Sequence, residues 1–150
     1  MQDLLGTGML TFSQAAGEIT LSRLHRDTTL LVCAGSGFGQ ACALIDSALH
    51  AGSRKSLELL RCVPTKQAVY AANREAAWGT RVTKHLCVDP DRGNDNAGMR
   101  WLRRHGGRFL DADIVIAGSP AFASAAASAL EGAGVARHQL FSDVLPGPTT

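Results

Sequence analysis

Short apolar runs alternate with glycine-containing turns and helix-like segments along most of the chain. The first run, residues 30–34, has the length and branching of a strand that is buried on both faces. Behind the turn that follows, apolar residues recur at the i, i+3, i+4, i+7 spacing of one helix face: Ala41, Leu44, Ile45 and Ala48. Gly52 then stands where a helix C-terminal glycine is expected. The pattern predicts a buried strand, a glycine turn and a helix.

The same alternation continues toward the C-terminus. Further strands are predicted at residues 57–63, 81–88, 113–117 and 139–145, and further helices at 66–77, at 97–105 and from Pro120 onward. Ser119 suits an N-cap and Pro120 the first helical position. Five strands alternating with four helical segments predict an α/β fold, a doubly wound five-stranded parallel sheet with helices on both faces.

The two ends of the chain differ from the middle. Residues 1–27 suggest two short strands, at Thr11-Phe12 and Ile19-Thr20-Leu21, around a turn at 14–17, a unit too small to fold alone. Residues 146–150 are rich in Pro, Gly and Thr and are predicted to be a disordered tail. The predicted binding domain is therefore residues 28–145.

Composition narrows the class of protein. The chain has 150 residues, 45% of them hydrophobic and 19% charged, as expected for one soluble globular domain. No apolar run approaches the roughly 20 residues of a membrane span, and the N-terminus lacks the features of a secretory signal. We therefore expect a cytoplasmic protein without a membrane span.

Charge and cysteine usage give no evidence for nucleic acid or metal. The net charge is only +2, and the cluster Arg100, Arg103, Arg104 and Arg108 is interpreted as a solvated helix face. The four cysteines show neither a CxxC pair nor metal-ligand spacing, so we expect buried, reduced thiols and no metal site. No acid–base pair or nucleophile stands out as catalytic.

Two turns carry the candidate chemistry. Gly35-Ser36-Gly37 and Gly118-Ser119-Pro120 each follow a predicted strand and precede a helix, where free N–H groups and the helix dipole favour an anion. Ligands of such sheets bind beyond the carboxyl ends of the strands, where the strand order reverses. If the two strands are neighbours, the turns face each other across one crevice and predict a nucleotide site. The alternative is a tight turn without a ligand.

These turns, in this order, resemble the pyridine-nucleotide domain of the ferredoxin–NADP reductase superfamily. Gly35-Ser36-Gly37 is similar to the family's Gly-Thr/Ser-Gly turn, and residues 117–122 stand where the family has Cys-Gly-Pro-Pro-x-Met. Residues 134–141 resemble the family's closing helix, turn and strand, and residues 16–21 the last piece of its flavin-binding barrel. The resemblance covers the chain from about residue 10 to residue 145.

The resemblance implies a nucleotide-binding domain of a flavin-dependent NAD(P)H oxidoreductase that passes electrons to a partner protein. It places the pyrophosphate at Gly35, Ser36, Gly37, Phe38 and Gly39, the adenosine ribose at Pro64, Thr65 and Lys66, and the nicotinamide at Gly118, Ser119, Pro120 and Phe122. Lys66 and Arg61, with Arg74 nearby, are candidates for contact with a 2′-phosphate, although solvated surface charges explain them equally well. A Gly37→Asp change is then expected to abolish nucleotide binding without unfolding the chain.

The chain also departs from the family pattern. Gln40 stands where the family usually has a proline, Ala117 replaces the family cysteine beside the nicotinamide, and no aromatic residue matches the family's C-terminal flavin-stacking ring. FAD is implied only if further residues or another chain supply the flavin domain, which would then be a partner. These departures favour an alternative, a non-catalytic structural or regulatory subunit that retains the fold. A third interpretation is an unrelated small α/β binder of flavodoxin type.

Overall fold

The computed structural model describes residues 19–146, which fold around one parallel sheet. Its five strands are β1 (Thr28–Ala34), β2 (Ser56–Val63), β3 (Val82–Val88), β4 (Asp113–Ala117) and β5 (Leu140–Phe141). The order across the sheet is β3-β2-β1-β4-β5, and every neighbouring pair is parallel. The doubly wound five-stranded α/β sheet expected from the sequence is therefore confirmed.

Four helices cover the two faces of the sheet. They are α1 (Gly37–His50), α2 (Ala72–Trp78), α3 (Ala97–His105) and α4 (Pro120–Gly132). One apolar core joins the sheet to α1 and to Trp78 of α2, and a second core joins the opposite face to α3 and α4. The strand order reverses between β1 and β4, so the carboxyl ends of these two strands mark the switch point of the sheet.

The helices and strands that have clear apolar spacing or capping residues lie where the sequence predicts them. Helix α3 spans the predicted residues 97–105, and β4 spans the predicted 113–117. The Ser119 hydroxyl caps α4 by accepting a hydrogen bond from the Phe122 N–H at 3.1 Å, and Pro120 occupies the first turn. The Asn96 side chain caps α3 in the same way, accepting from the Met99 N–H at 3.0 Å.

The single helix predicted at residues 66–77 is wrong. A short 3₁₀ turn, Lys66–Ala68, is separated from α2 by an irregular segment that ends at Ala71, whose φ is +57°. The break has a tertiary cause, because the Arg61 guanidinium binds the main-chain carbonyl of Tyr70 and the Tyr70 hydroxyl binds the carbonyl of Gly35. These contacts hold the segment in a path that a continuous helix cannot follow.

Two predicted strands also differ from the structure. The last strand is only Leu140–Phe141, because Gln139 ends a 3₁₀ turn and its buried amide donates to the carbonyls of Phe109 and Ala112. Ile19 and Thr20 are not in a strand, and Leu21 begins a 3₁₀ turn whose flanking residues Ile19 and Leu24 are buried in the first core. The predicted strand at Thr11-Phe12 and residues 147–150 of the predicted tail lie outside the described residues.

We expect Asn96→Ala to lower the free energy of unfolding by about 1 kcal/mol, because it leaves the Met99 N–H without its cap. Asn96→Asp keeps the accepting oxygen and serves as the control, with a smaller loss. Urea denaturation of the three proteins measures the difference, and equal midpoints for Asn96→Ala and wild type would show that the cap contributes nothing.

Candidate functional site

The two turns predicted to form the site meet at the switch point. A β-carbon built on Gly37 would lie 2.1 Å from the carbonyl oxygen of Ala117 and 2.8 Å from the amide nitrogen of Gly118. Real β-carbons do not approach other heavy atoms so closely, so only glycine allows α1 to begin directly against the end of β4. The two turns are therefore neighbours at the carboxyl ends of β1 and β4, as expected if these strands are adjacent, and we call the surface between them the crevice.

The rest of the first turn contains two glycines that place no side chain beside the start of α1. Gly35 has a φ of +56°, the left-handed conformation that glycine adopts without strain. Gly39 is exposed in the first turn of α1, and a β-carbon built on it would meet no protein atom within 4 Å. The N–H groups of Phe38 and Gly39 are bonded within the turn to the carbonyls of Gly35 and Ser36. The positive end of the α1 dipole and the open space at Gly39 are the features suited to a phosphate group.

Two aromatic residues of the predicted site have different environments. Phe38 is 1% exposed and its ring lies in the first core, so only its backbone faces the turn. Its N–H is directed at the Gly35 carbonyl at 3.3 Å, which closes the turn. Phe122 is half-buried and lies over the second turn, since a β-carbon on Gly118 would be 2.8 Å from its ring.

Two segments from other parts of the chain flank the crevice. On the β2 side, the Tyr70 hydroxyl donates to the Gly35 carbonyl at 3.0 Å. On the β5 side, the chain turns back over α1, and the Gln40 amide donates to the Asp143 carboxylate at 3.0 Å. Neither Tyr70 nor Asp143 was singled out from the sequence, because their partners lie 35 and 103 residues away and no local pattern marks such contacts.

The predicted ribose segment follows β2, and its three candidate cations have different environments. Arg61 is 2% exposed and bound to Glu75 and to the Tyr70 carbonyl, so its proposed contact with a 2′-phosphate is wrong. Arg74 pairs with Asp46. Lys66 is exposed beside Thr65, and no hydrogen bond or ion pair of its ammonium group is seen among residues 19–146.

The carboxylate that binds Arg74 also anchors α2 to α1. Asp46 accepts a hydrogen bond from the Trp78 indole N–H at 2.7 Å. Burial acts to raise the pKa of Asp46, but the hydrogen bonds from Trp78 and Arg74 outweigh it and hold that pKa below its usual value. Arg74 is therefore held at the surface by the same carboxylate that binds Trp78.

The thiols are poor nucleophiles. All four cysteines are free, with Cys33 and Cys42 buried and Cys62 and Cys87 partly buried. Burial raises the pKa of Cys62 to about 12, which leaves almost no thiolate at neutral pH. Within residues 19–146 no group of three or more His, Cys, Asp or Glu side chains is placed to hold a metal ion. No helix in that part of the chain is long and apolar enough to cross a membrane.

Comparison with solved structures shows what the fold resembles. A flavohemoglobin from Malassezia yamatoensis with bound FAD and heme superposes with a TM-score of 0.66 over 84% of this chain, at 16% identity. A ferredoxin reductase in carbazole 1,9a-dioxygenase gives 0.61 over 78%, at 20% identity. A ferredoxin-NADP⁺ reductase from Plasmodium falciparum gives 0.63 over 79%, at 9% identity.

This likeness is one of fold, and it covers only part of each neighbour. The chain spans 34% of the flavohemoglobin, 37% of the carbazole dioxygenase reductase and 53% of the Plasmodium enzyme. No protein-family model matches the sequence, and no curated protein matches it either. The predicted resemblance to the nucleotide-binding domain of ferredoxin reductases is therefore confirmed at the level of the α/β fold.

The close contact argues against the expectation that Gly37→Asp leaves the chain folded, because any β-carbon at this position would meet the Ala117 carbonyl oxygen at 2.1 Å. We expect Gly37→Ala to lower the free energy of unfolding by about 2 kcal/mol or more, because the new methyl group collides with the Ala117 carbonyl. Gly39→Ala is the matched control two residues away, and it should be neutral or slightly stabilising. Thermal or urea denaturation compares the two, and equal stabilities would contradict the close contact.

Proposed function

We propose that this chain is the NAD(P)-binding domain of a flavin-dependent oxidoreductase that passes electrons to a partner protein. The observation that supports the proposal is the contact of Gly37 with the Ala117 carbonyl, which brings two strand-to-helix turns side by side at the switch point. The similar solved structures are named as reductases or as a protein with bound FAD, which supports the proposed role in a flavin-dependent oxidoreductase.

Each predicted segment has a role in this proposal. The backbone of Gly35, Ser36, Gly37 and Gly39 holds the pyrophosphate, and Phe38 supports that turn from the core. Pro64, Thr65 and Lys66 face the adenosine ribose, and Gly118, Ser119, Pro120 and Phe122 line the nicotinamide side. When bound, NAD(P)H supplies the hydride, and this chain binds and orients it. We assign no catalytic residue.

The electron acceptor lies beyond residues 19–146 in this proposal. FAD would be held by a flavin domain that further residues or another chain supply, and it would accept the electrons of the nucleotide. On this chain, Phe122 would line the nicotinamide side of the site. We propose a cytoplasmic location for this assembly, with no nucleic acid involved.

Gly39→Asp tests the pyrophosphate site. An acid in the first turn suits the helix dipole and meets open space, so the fold should persist while the charge repels a phosphate. We expect the Kd for NADPH and for NADH to rise at least tenfold. Gly39→Asn has nearly the same shape without the charge and should bind much more tightly than Gly39→Asp.

Calorimetric titration of wild type, Gly39→Asp and Gly39→Asn with NADPH and with NADH measures these Kd values. If Gly39→Asp binds as well as Gly39→Asn, the pyrophosphate does not lie at the start of α1. If folded wild type binds neither NADPH nor NADH, the nucleotide-binding proposal itself is wrong.

Lys66→Ala tests the nucleotide preference. Because Arg61 and Arg74 are engaged in the structure, Lys66 is the cation we assign to a 2′-phosphate. We expect the Kd for NADPH to rise about tenfold, with little change for NADH. Arg54→Ala, which removes an exposed charge just before β2, is the control and should change neither value. An equal effect of Lys66→Ala on both nucleotides would contradict the assignment.

A second function is favoured by one contact. The Asp143 carboxylate lies against Gln40 near the start of α1, where a negative charge opposes a phosphate group. Together with Ala117 in place of a cysteine, this favours a structural or regulatory subunit that keeps the fold without the cofactor. Absence of nucleotide binding by folded wild-type protein is the result that selects it.

A further inference from the structure

Arg61 is a buried cation at the carboxyl end of β2, enclosed by aromatic rings. Its guanidinium lies 3.6 Å from the centroid of the Phe38 ring and 4.8 Å from that of Tyr70. One nitrogen pairs with the Glu75 carboxylate at 2.5 Å, and another donates to the main-chain carbonyl of Tyr70 at 2.8 Å. A buried arginine with this many contacts holds its neighbours in fixed positions.

Tyr70 is fixed at both ends by this arrangement. Arg61 binds its carbonyl, the edge of its ring packs on Phe38 at a centroid distance of 5.4 Å, and its hydroxyl binds the Gly35 carbonyl. Tyr70 nevertheless remains 48% exposed, so burial of apolar surface alone does not account for its position. Ala71, the next residue, has a positive φ, and that local strain must be offset by contacts such as these.

We propose that Arg61 and Tyr70 are positioning residues for the nucleotide. They connect the segment after β2, which contains Lys66, to the glycine turn after β1, and so fix the distance between the ribose and pyrophosphate contacts. A dinucleotide then meets two surfaces that are already aligned. Because the segment after β2 is ordered before the nucleotide binds, its ordering does not reduce the binding free energy. This inference rests on the proposed function and adds to it the link between the two halves of the site.

Tyr70→Phe is the cleanest test, because it keeps the ring on Phe38 and Arg61 and removes only the hydroxyl that reaches Gly35. We expect amide hydrogen exchange of the ligand-free protein to quicken in residues 35–38 and 64–71, and the Kd for NADPH to rise about threefold to tenfold. Thr83→Val removes an exposed hydroxyl on β3 away from the turn and should change neither quantity.

A double-mutant cycle separates positioning from simple stability. If Tyr70 holds Lys66 in place, Lys66→Ala should weaken NADPH binding less in the Tyr70→Phe background than in wild type. Arg61→Lys keeps the charge but loses the flat, two-pronged contact, and it should reproduce the faster exchange and weaker binding.

The outcomes are distinct. Suppose that wild type binds NADPH. If Tyr70→Phe then has an unchanged Kd, or if the effects in the cycle are additive, the positioning role is wrong and the proposed function stands. Failure of wild type to bind NADPH or NADH overturns both. Faster exchange, weaker binding and non-additivity together establish the link.

Discussion

The contact between the Gly37 backbone and the Ala117 carbonyl is the constraint on which the site depends. The two strands that end there, β1 and β4, are neighbours at the point where the strand order reverses. Because a side chain at Gly37 would meet backbone at 2.1 Å, α1 can begin against β4 only if that residue is glycine. The close approach places the two turns side by side, and the proposed pyrophosphate and nicotinamide contacts lie on these turns.

A second constraint shapes the β2 side of that crevice. Arg61 lies inside the protein, where its charge is balanced by Glu75 and by the faces of two aromatic rings. A buried cation must be paired to be tolerated, so the cluster that pairs Arg61 also determines the path of the chain through Tyr70. Because Arg61 is enclosed in this cluster, our proposal assigns the 2′-phosphate contact to Lys66 instead.

The solved structures with a similar fold are longer than this chain. The chain spans roughly a third to a half of proteins named as ferredoxin reductases or as a flavohemoglobin with bound FAD and heme. The described residues form the five-stranded parallel sheet shared with these neighbours, with two strand-to-helix turns in contact at its switch point. Redox chemistry in our proposal belongs to the nucleotide and to a flavin supplied elsewhere.

The sequence by itself determined the features whose signals are local. Apolar runs, helical spacing and capping residues act within a few positions, so β4, α3 and the Ser119 cap were predicted correctly. Tertiary structure decided the rest: the break before α2, the burial of Arg61 and the reason for glycine at position 37. Each arises from atoms far apart in the chain, such as the Tyr70 hydroxyl and the Gly35 carbonyl, 35 residues apart, which meet only when the sheet has formed.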